Sequence, residues 1–226
     1  MGVKKTVKKV LSHDAALDPS GFVLLADYVP HIVQEIRYYS TYNFIGERID
    51  GYEEPCALLT IEAARALKAV SSEMIVQGCR LKVFDAYRPA CAVKHFVLWG
   101  IEDQDIRMKP YFYPTLEKQE LFAKGYIASQ SSHSRGSAVD LTLLDMASGK
   151  EVDMGGPFDL FSELSHPDNR DLITEEQYEN RMMLQKVMVR NGFEPYECEW
   201  WHFRLENEPY PDTYFEFPVS ASYLKR

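Results

Sequence analysis

The chain is short of cysteine, of positive charge and of long apolar runs, and each shortage removes a class of protein. Its four cysteines, Cys56, Cys79, Cys91 and Cys198, make no C-x-x-C pair, so neither a zinc knuckle nor a thioredoxin-type dithiol is signalled. They read as reduced, mostly buried thiols, although an even count leaves one or two disulfides open in an oxidising compartment. Lys and Arg number 25 against 34 Asp and Glu, a formal net charge of −9. Duplex binding relies on basic groups that neutralise phosphates, so nucleic acid is not expected as a partner. No window approaches the ~20 apolar residues of a membrane span, and no membrane partner is expected. Lys4, Lys5, Lys8 and Lys9 would suit the start of a secretory signal, yet the nearest apolar run, Phe22 to Ala26, is too short for its core. The expected location is the cytoplasm, or the periplasm if a signal peptide has already been removed. Repeats and low-complexity tracts are also missing.

What is present is the composition of one packed domain. With 226 residues, 46% apolar and 13% aromatic, the chain can bury one sizeable core. Residues 1–20 have weak periodicity and are expected to be a loosely held extension, leaving 21–226 as the domain. Thr60 can cap a helix in which Ala63, Leu67, Val70 and Met74 share a face and Gly78 follows as a stop. Leu81 to Phe84 reads as a strand broken by Asp85-Ala86-Tyr87-Arg88-Pro89, with Pro89 opening a helix through Trp99 and Arg88 on the corner. A third helix is expected over Thr115 to Lys124. Ala138 to Leu144 alternates Asp140 and Thr142 with Val139, Leu141 and Leu143 as a half-buried strand does, so Asp140 should face away from the leucines. Thr174 with Glu175 and Glu176 should start a helix running to about Arg190, and Phe193 to Leu205 reads as one last strand. Strands divided by helices of unequal length favour an α+β fold.

Two segments about sixty residues apart carry the chemistry. Ser131 to Asp140 holds His133 and Asp140, and Glu199-Trp200-Trp201-His202 holds an imidazole and a spare carboxylate. A catalytic zinc site needs three protein ligands that leave one position open, and His133, Asp140 and His202 are such a set. The six residues between His133 and Asp140 suit neither a helical face nor a straight strand, but Gly136 offers a turn that folds His133 back. Glu199 and His202 differ by an odd number and would face opposite sides of a regular strand. A bulge or strand end is therefore expected there. Glu199, free of the metal, could take a proton from water, while Arg88, always charged and fork-shaped, is placed to steady an oxyanion. His13, His31, His95 and His166 lack companion ligands and read as structural or surface histidines.

At these residues the sequence resembles a known family. SSHSRGSAVDLT, EWWH and DAYRP, with IRYYSTYNFIGERIDGY, MGGPFD and EPYPDTYFEFPV in order, are similar to the VanX-type D-alanyl-D-alanine dipeptidases of the zinc-dependent M15 peptidases. The likeness covers about 190 residues. It implies an α+β domain with a central antiparallel sheet carrying one zinc ion, and hydrolysis of D-Ala-D-Ala to two D-alanines. It also implies that His133, Asp140 and His202 hold the metal, that Glu199 is the general base and that Arg88 stabilises the oxyanion. Tyr38, Ser131 and Asp159 would then meet the free amino end of the dipeptide, with Tyr52 and Trp200 as cavity walls. Two rivals stay open: a peptidase of this scaffold that acts on larger cell-wall peptides or other D-amino dipeptides, and a non-catalytic, hedgehog-like zinc-binding interaction domain.

Overall fold

A computed structural model describes residues 17–102 and 104–224. Most of the expected extension, with Lys4 to Lys9 and His13, lies outside them. Asp18 to Ser20 form a tight turn in which the Asp18 carboxylate accepts from the Ser20 amide and hydroxyl, and this turn leads into β1 (Phe22–Leu24).

The architecture is mixed α+β, a five-stranded sheet with helices packed on it and a separate two-stranded ribbon. In the ribbon, β1 pairs antiparallel with β3 (Leu58–Thr60). A four-residue helix α1 (Leu25–Tyr28) follows β1. The main sheet runs β2 (Val33–Gln34), β4 (Cys79–Asp85), β5 (Ala138–Asp145), β7 (Glu199–Leu205), β6 (Phe193–Tyr196). Its pairs are antiparallel except at one edge, where the two residues of β2 run parallel to β4.

The expected cap at Thr60 does not form: its side chain makes no cap bond and its hydroxyl lies 2.9 Å from that of Ser137 instead. Helix α2 (Ile61–Val76) buries Ala63, Leu67, Val70 and Met74, the expected face. Each fully buried Leu, Val or Met contributes about 1.5–3 kcal/mol of hydrophobic stabilisation. Pro89 stands just before α3 (Ala90–Ile101). A short α4 (Lys109–Phe112) precedes α5 (Lys118–Ala123), which begins three residues later than the expected start at Thr115. Glu117 explains the late start, because it and Glu120 form a reciprocal cap that places the first turn after residue 117. Helix α6 (Glu175–Arg190) begins at Thr174, whose hydroxyl accepts from the Gln177 amide.

Two expectations about the strands need correction. Strand β5 is buried on both faces from Ala138 to Thr142, not half-buried, because it lies in mid-sheet between β4 and β7. The segment from Phe193 to Leu205 is a hairpin, not one strand, since Glu197 and Cys198 make the turn between β6 and β7. No helix among the described residues is long and apolar enough to cross a membrane.

Candidate metal centre and active site

Three neighbouring strands place a row of polar residues across the middle of the sheet. Asp85 pairs with Asp140, and Asp140 pairs with His202. All share the parity opposite Leu141 and Leu143, so an otherwise apolar sheet carries a polar line toward one side. A 3-10 turn at Ser132–Arg135 brings His133 over this row. The turn ends on Gly136 at φ +77°, and a Cβ there would meet the Phe22 ring at 2.2 Å, so only glycine fits. Backbone bonds fix the turn: the Arg88 amide donates to the His133 carbonyl and the Phe215 amide to that of Ser134.

The parity conflict between Glu199 and His202 resolves at a strand end. Tyr196 pairs with Glu199 and Pro195 with Phe203, so the register slips across the hairpin mouth. Both side chains consequently line the same cavity.

His133, Asp140 and His202 each offer a ligand atom, all within 4.8 Å of one another. His133 Nε2 stands 3.1 Å from His202 Nδ1 and 3.3 Å from Asp140 Oδ2, and His202 Nδ1 is 3.0 Å from Asp140 Oδ1. The outer nitrogen of each ring is occupied elsewhere. His133 Nδ1–H donates to the Ala86 carbonyl at 2.6 Å, which leaves Nε2 as a lone pair, and His202 Nε2 faces the Ser132 hydroxyl at 3.3 Å. Burial alone would raise the Asp140 carboxyl, yet the two histidines hold it below the usual carboxylate range. Two inward nitrogens and an ionised carboxylate suit a divalent metal such as zinc, with no fourth His, Cys, Asp or Glu in the group among the described residues.

Glu199 stands beside this group, its Oε2 4.0 Å from His202 Nδ1. Burial pushes its carboxyl up to about 8, with Asp140 and Asp159 adding to the rise and His202 and Arg88 opposing it. Arg88 faces it from the β4–α3 corner. Its Nε and Nη2 both donate to Asp85 Oδ2 at 2.9 Å, Nη2 lies 3.6 Å from Asp140 Oδ2, and its guanidinium stacks over Tyr38 and Phe96.

The cavity holds about 350 Å³, a volume suited to a small molecule rather than a polymer. Tyr38, Arg88, Ser131, Asp159 and Glu199 line it together with the three possible ligands. The Tyr38 hydroxyl donates to the Asp159 carboxylate, 3.0 and 3.2 Å from its two oxygens. Burial pushes Asp159 up to about 8, with the charge on Asp140 adding to it. Ser131 is partly committed, because its hydroxyl accepts from the His133 amide at 3.2 Å.

Two expected wall residues lie elsewhere. Tyr52 is buried beneath the site, where its hydroxyl donates to Asp85 Oδ1 at 2.6 Å. Trp200 is buried edge-to-face against Trp201, with the Arg181 guanidinium 5.9 Å from its ring, and does not line the cavity. Phe96, Tyr126 and Ser132 line the cavity instead. Asp85 is the residue of this polar row that sequence reasoning passed over: it is buried and accepts from Tyr52 and Arg88, and an acid between an apolar strand and Arg-Pro was the signal for such an arginine anchor. His95 bonds to Glu47 and the Asp50 amide, and His31 sits at φ +65°, both outside the cavity.

The chain is similar to known proteins over most of its length. A family model for M15 peptidases, described as D-Ala-D-Ala dipeptidase, matches residues 18–220. A D-alanyl-D-alanine dipeptidase of Enterococcus faecalis is 41% identical over 201 residues, 89% of this chain and 99% of that protein. Another so named from Streptomyces coelicolor is 40% identical over 85% of this chain and 97% of its own length. One from Escherichia coli is 33% identical over 83% and 86%.

Proposed function

The chain belongs to the M15 peptidase family of D-Ala-D-Ala dipeptidases, and from that premise we propose that it is a zinc dipeptidase that hydrolyses D-Ala-D-Ala to two D-alanines. The observation that carries this reading is the convergence of His133, Asp140 and His202 within 4.8 Å, with an acid that is not part of the group beside them. Those three residues would hold the zinc. A bound zinc ion would supply Lewis acidity, lowering the pKa of a water toward ~7 and polarising the scissile carbonyl.

The chain's own groups supply the rest. Asp159 and Tyr38, both buried and joined by a hydrogen bond, hold the ammonium end of the dipeptide. Ser131 adds a hydroxyl on the same side. Glu199 takes a proton from the attacking water as the oxygen bonds to the carbonyl carbon. The same carboxyl then returns the proton to the leaving nitrogen as the C–N bond breaks, which suits a group poised near neutral pH. Arg88, fixed by Asp85, stabilises the negative charge that develops on the carbonyl oxygen.

The test is D-alanine release from D-Ala-D-Ala, L-Ala-L-Ala and a pentapeptide ending in D-Ala-D-Ala, with Glu199→Ala as control. Release is expected from the first alone, and the variant should lose about 10³-fold or more in kcat while keeping its zinc. Equal release from the pentapeptide would shift the assignment to a cell-wall peptidase. Zinc binding with no hydrolysis by the unaltered protein would leave an interaction domain.

A further inference from the structure

Arg181 is a buried cation that the chemistry above does not use. It lies on α6, is 2% exposed, and spends its guanidinium on main-chain carbonyls. Nε donates to Met154 at 2.6 Å, Nη1 to His166 at 2.9 Å and Nη2 to Leu164 at 2.9 Å. Burial pulls its pKa down to about 10, and Asp153 offsets only part of that. Desolvating a guanidinium without a contacting carboxylate is expensive, so the arrangement asks what the three bonds accomplish.

The carbonyls belong to the two ends of one loop, and Asp159 is at its middle. Asp159 sits at φ +62°, a left-handed conformation that a non-glycine residue keeps only when its surroundings impose it. Neighbouring residues on the same face of α6 hold the loop's start as well. Gln177 Nε2 donates to Asp153 Oδ2 and Asn180 Nδ2 to the Asp153 carbonyl, each at 2.9 Å. At the other end, the His166 ring meets the Tyr126 hydroxyl at 3.3 Å, and Tyr126 lines the cavity.

We propose that Arg181 is a positioning residue for substrate binding: by joining Met154 to Leu164 and His166 it closes the loop and holds Asp159 against Tyr38, where the substrate ammonium is read. This rests on the dipeptidase reading. A planar fork reaches three divergent carbonyls at once, whereas the single ammonium of lysine cannot hold both ends with the same geometry. Removing the clamp loosens a contact made to the ground state and the transition state alike, so KM rises and kcat stays. Loss of folded protein would do the reverse, lowering apparent kcat at constant KM.

The experiment compares Arg181→Lys, Asp159→Asn and the double variant in steady-state hydrolysis of D-Ala-D-Ala by the zinc-loaded protein, with zinc content measured in each. Arg181→Lys should raise KM about tenfold with kcat within about twofold and zinc unchanged, and the double variant should be little worse than Asp159→Asn alone. If the lysine variant does not fold, Asn180→Ala, which releases one bond at the loop's start, should raise KM about two- to threefold. An unchanged KM in the folded variant, a fall confined to kcat, or effects that multiply independently in the double variant would each overturn the clamp. If Asp159→Asn itself leaves KM unchanged, the assignment of the ammonium site falls and the proposal falls with it. No turnover by the unaltered protein would sink the dipeptidase reading instead.

Discussion

The two ends of the cavity are built by opposite means. At the proposed metal end, Asp140 and His202 are directly paired on adjoining strands, and His133 sits on a turn pinned by backbone bonds. At the proposed ammonium end, Asp159 rides a left-handed loop position and Tyr38 a short 3-10 turn, Arg37–Tyr39. The first end takes its precision from the sheet, where spacing is fixed by pairing. The second depends on side chains reaching in from elsewhere. Substitutions at the metal end should therefore strike turnover, and those at the ammonium end should strike binding.

The largest effect expected from that contrast is at Asp140. Asp140→Asn keeps the strand and the shape but removes the charge that the two histidines face. Zinc affinity should fall by more than about 10²-fold, given that even outer partners of a ligand cost 10–100-fold. Turnover at limiting zinc should fall by about 10³-fold or more, equivalent to the several kcal/mol a Lewis acid supplies. Chelator competition and D-alanine release measure the two. Wild-type zinc affinity in this variant would mean that the sheet row is not where the metal end is made.

The same contrast explains which features were legible in the sequence. His133, Asp140 and His202 could be chosen because metal chemistry restricts the residue types and Gly136 advertised a turn between the first two. Glu199 with His202 looked inconsistent until the hairpin register slipped, a tertiary event with no mark in residues 199–202 beyond their odd spacing. Alternation in Ala138 to Leu144 measures polarity and not exposure, because β5 lies in mid-sheet and both its faces are buried. Tyr52 and Trp200 were misplaced for the reason that a large aromatic declares burial without declaring which wall it joins. The clamp at Arg181 was invisible, since its partners are carbonyls that any residue supplies.

Between the two ends stands the Arg88 anchor, and a middle-sized effect tests which side it serves. Asp85 is fully buried and accepts from Tyr52 as well as from Arg88. Asp85→Asn keeps the shape and loses the charge, so the guanidinium is left less firmly held near Asp140. A fall of about 10²-fold in kcat is expected, the scale of losing one oxyanion contact, with zinc content unchanged and little change in KM. Breaking a buried pair also costs roughly 3–5 kcal/mol of stability, so the variant should be assayed well below its lowered melting temperature. A change in KM alone would assign Arg88 to the ammonium end, and the division drawn above would have to move.

The smallest effect is in stability, and it runs against function. Burial raises Asp159 to about 8, against roughly 3.9 for an ordinary aspartate. A carboxyl whose folded pKa is raised binds a proton more tightly folded than unfolded. Its contribution to stability is therefore complete below about pH 4 and is lost as pH rises through about 8. Asp159→Asn removes that loss, and asparagine tolerates the left-handed backbone at this position. The variant should match the parent near pH 4 and exceed it by roughly 1–3 kcal/mol at pH 8, a fraction of the full pKa difference because the loop can relax and admit water. Denaturant unfolding at several pH values, with both proteins in the same metal state, measures the gap. A gap independent of pH would mean that Asp159 is ionised at little cost, and the ammonium end would then be no less settled than the metal end. A gap that opens with pH would show that the protein retains a carboxyl that weakens its own fold, which is the expected signature of a group kept for a positively charged ligand.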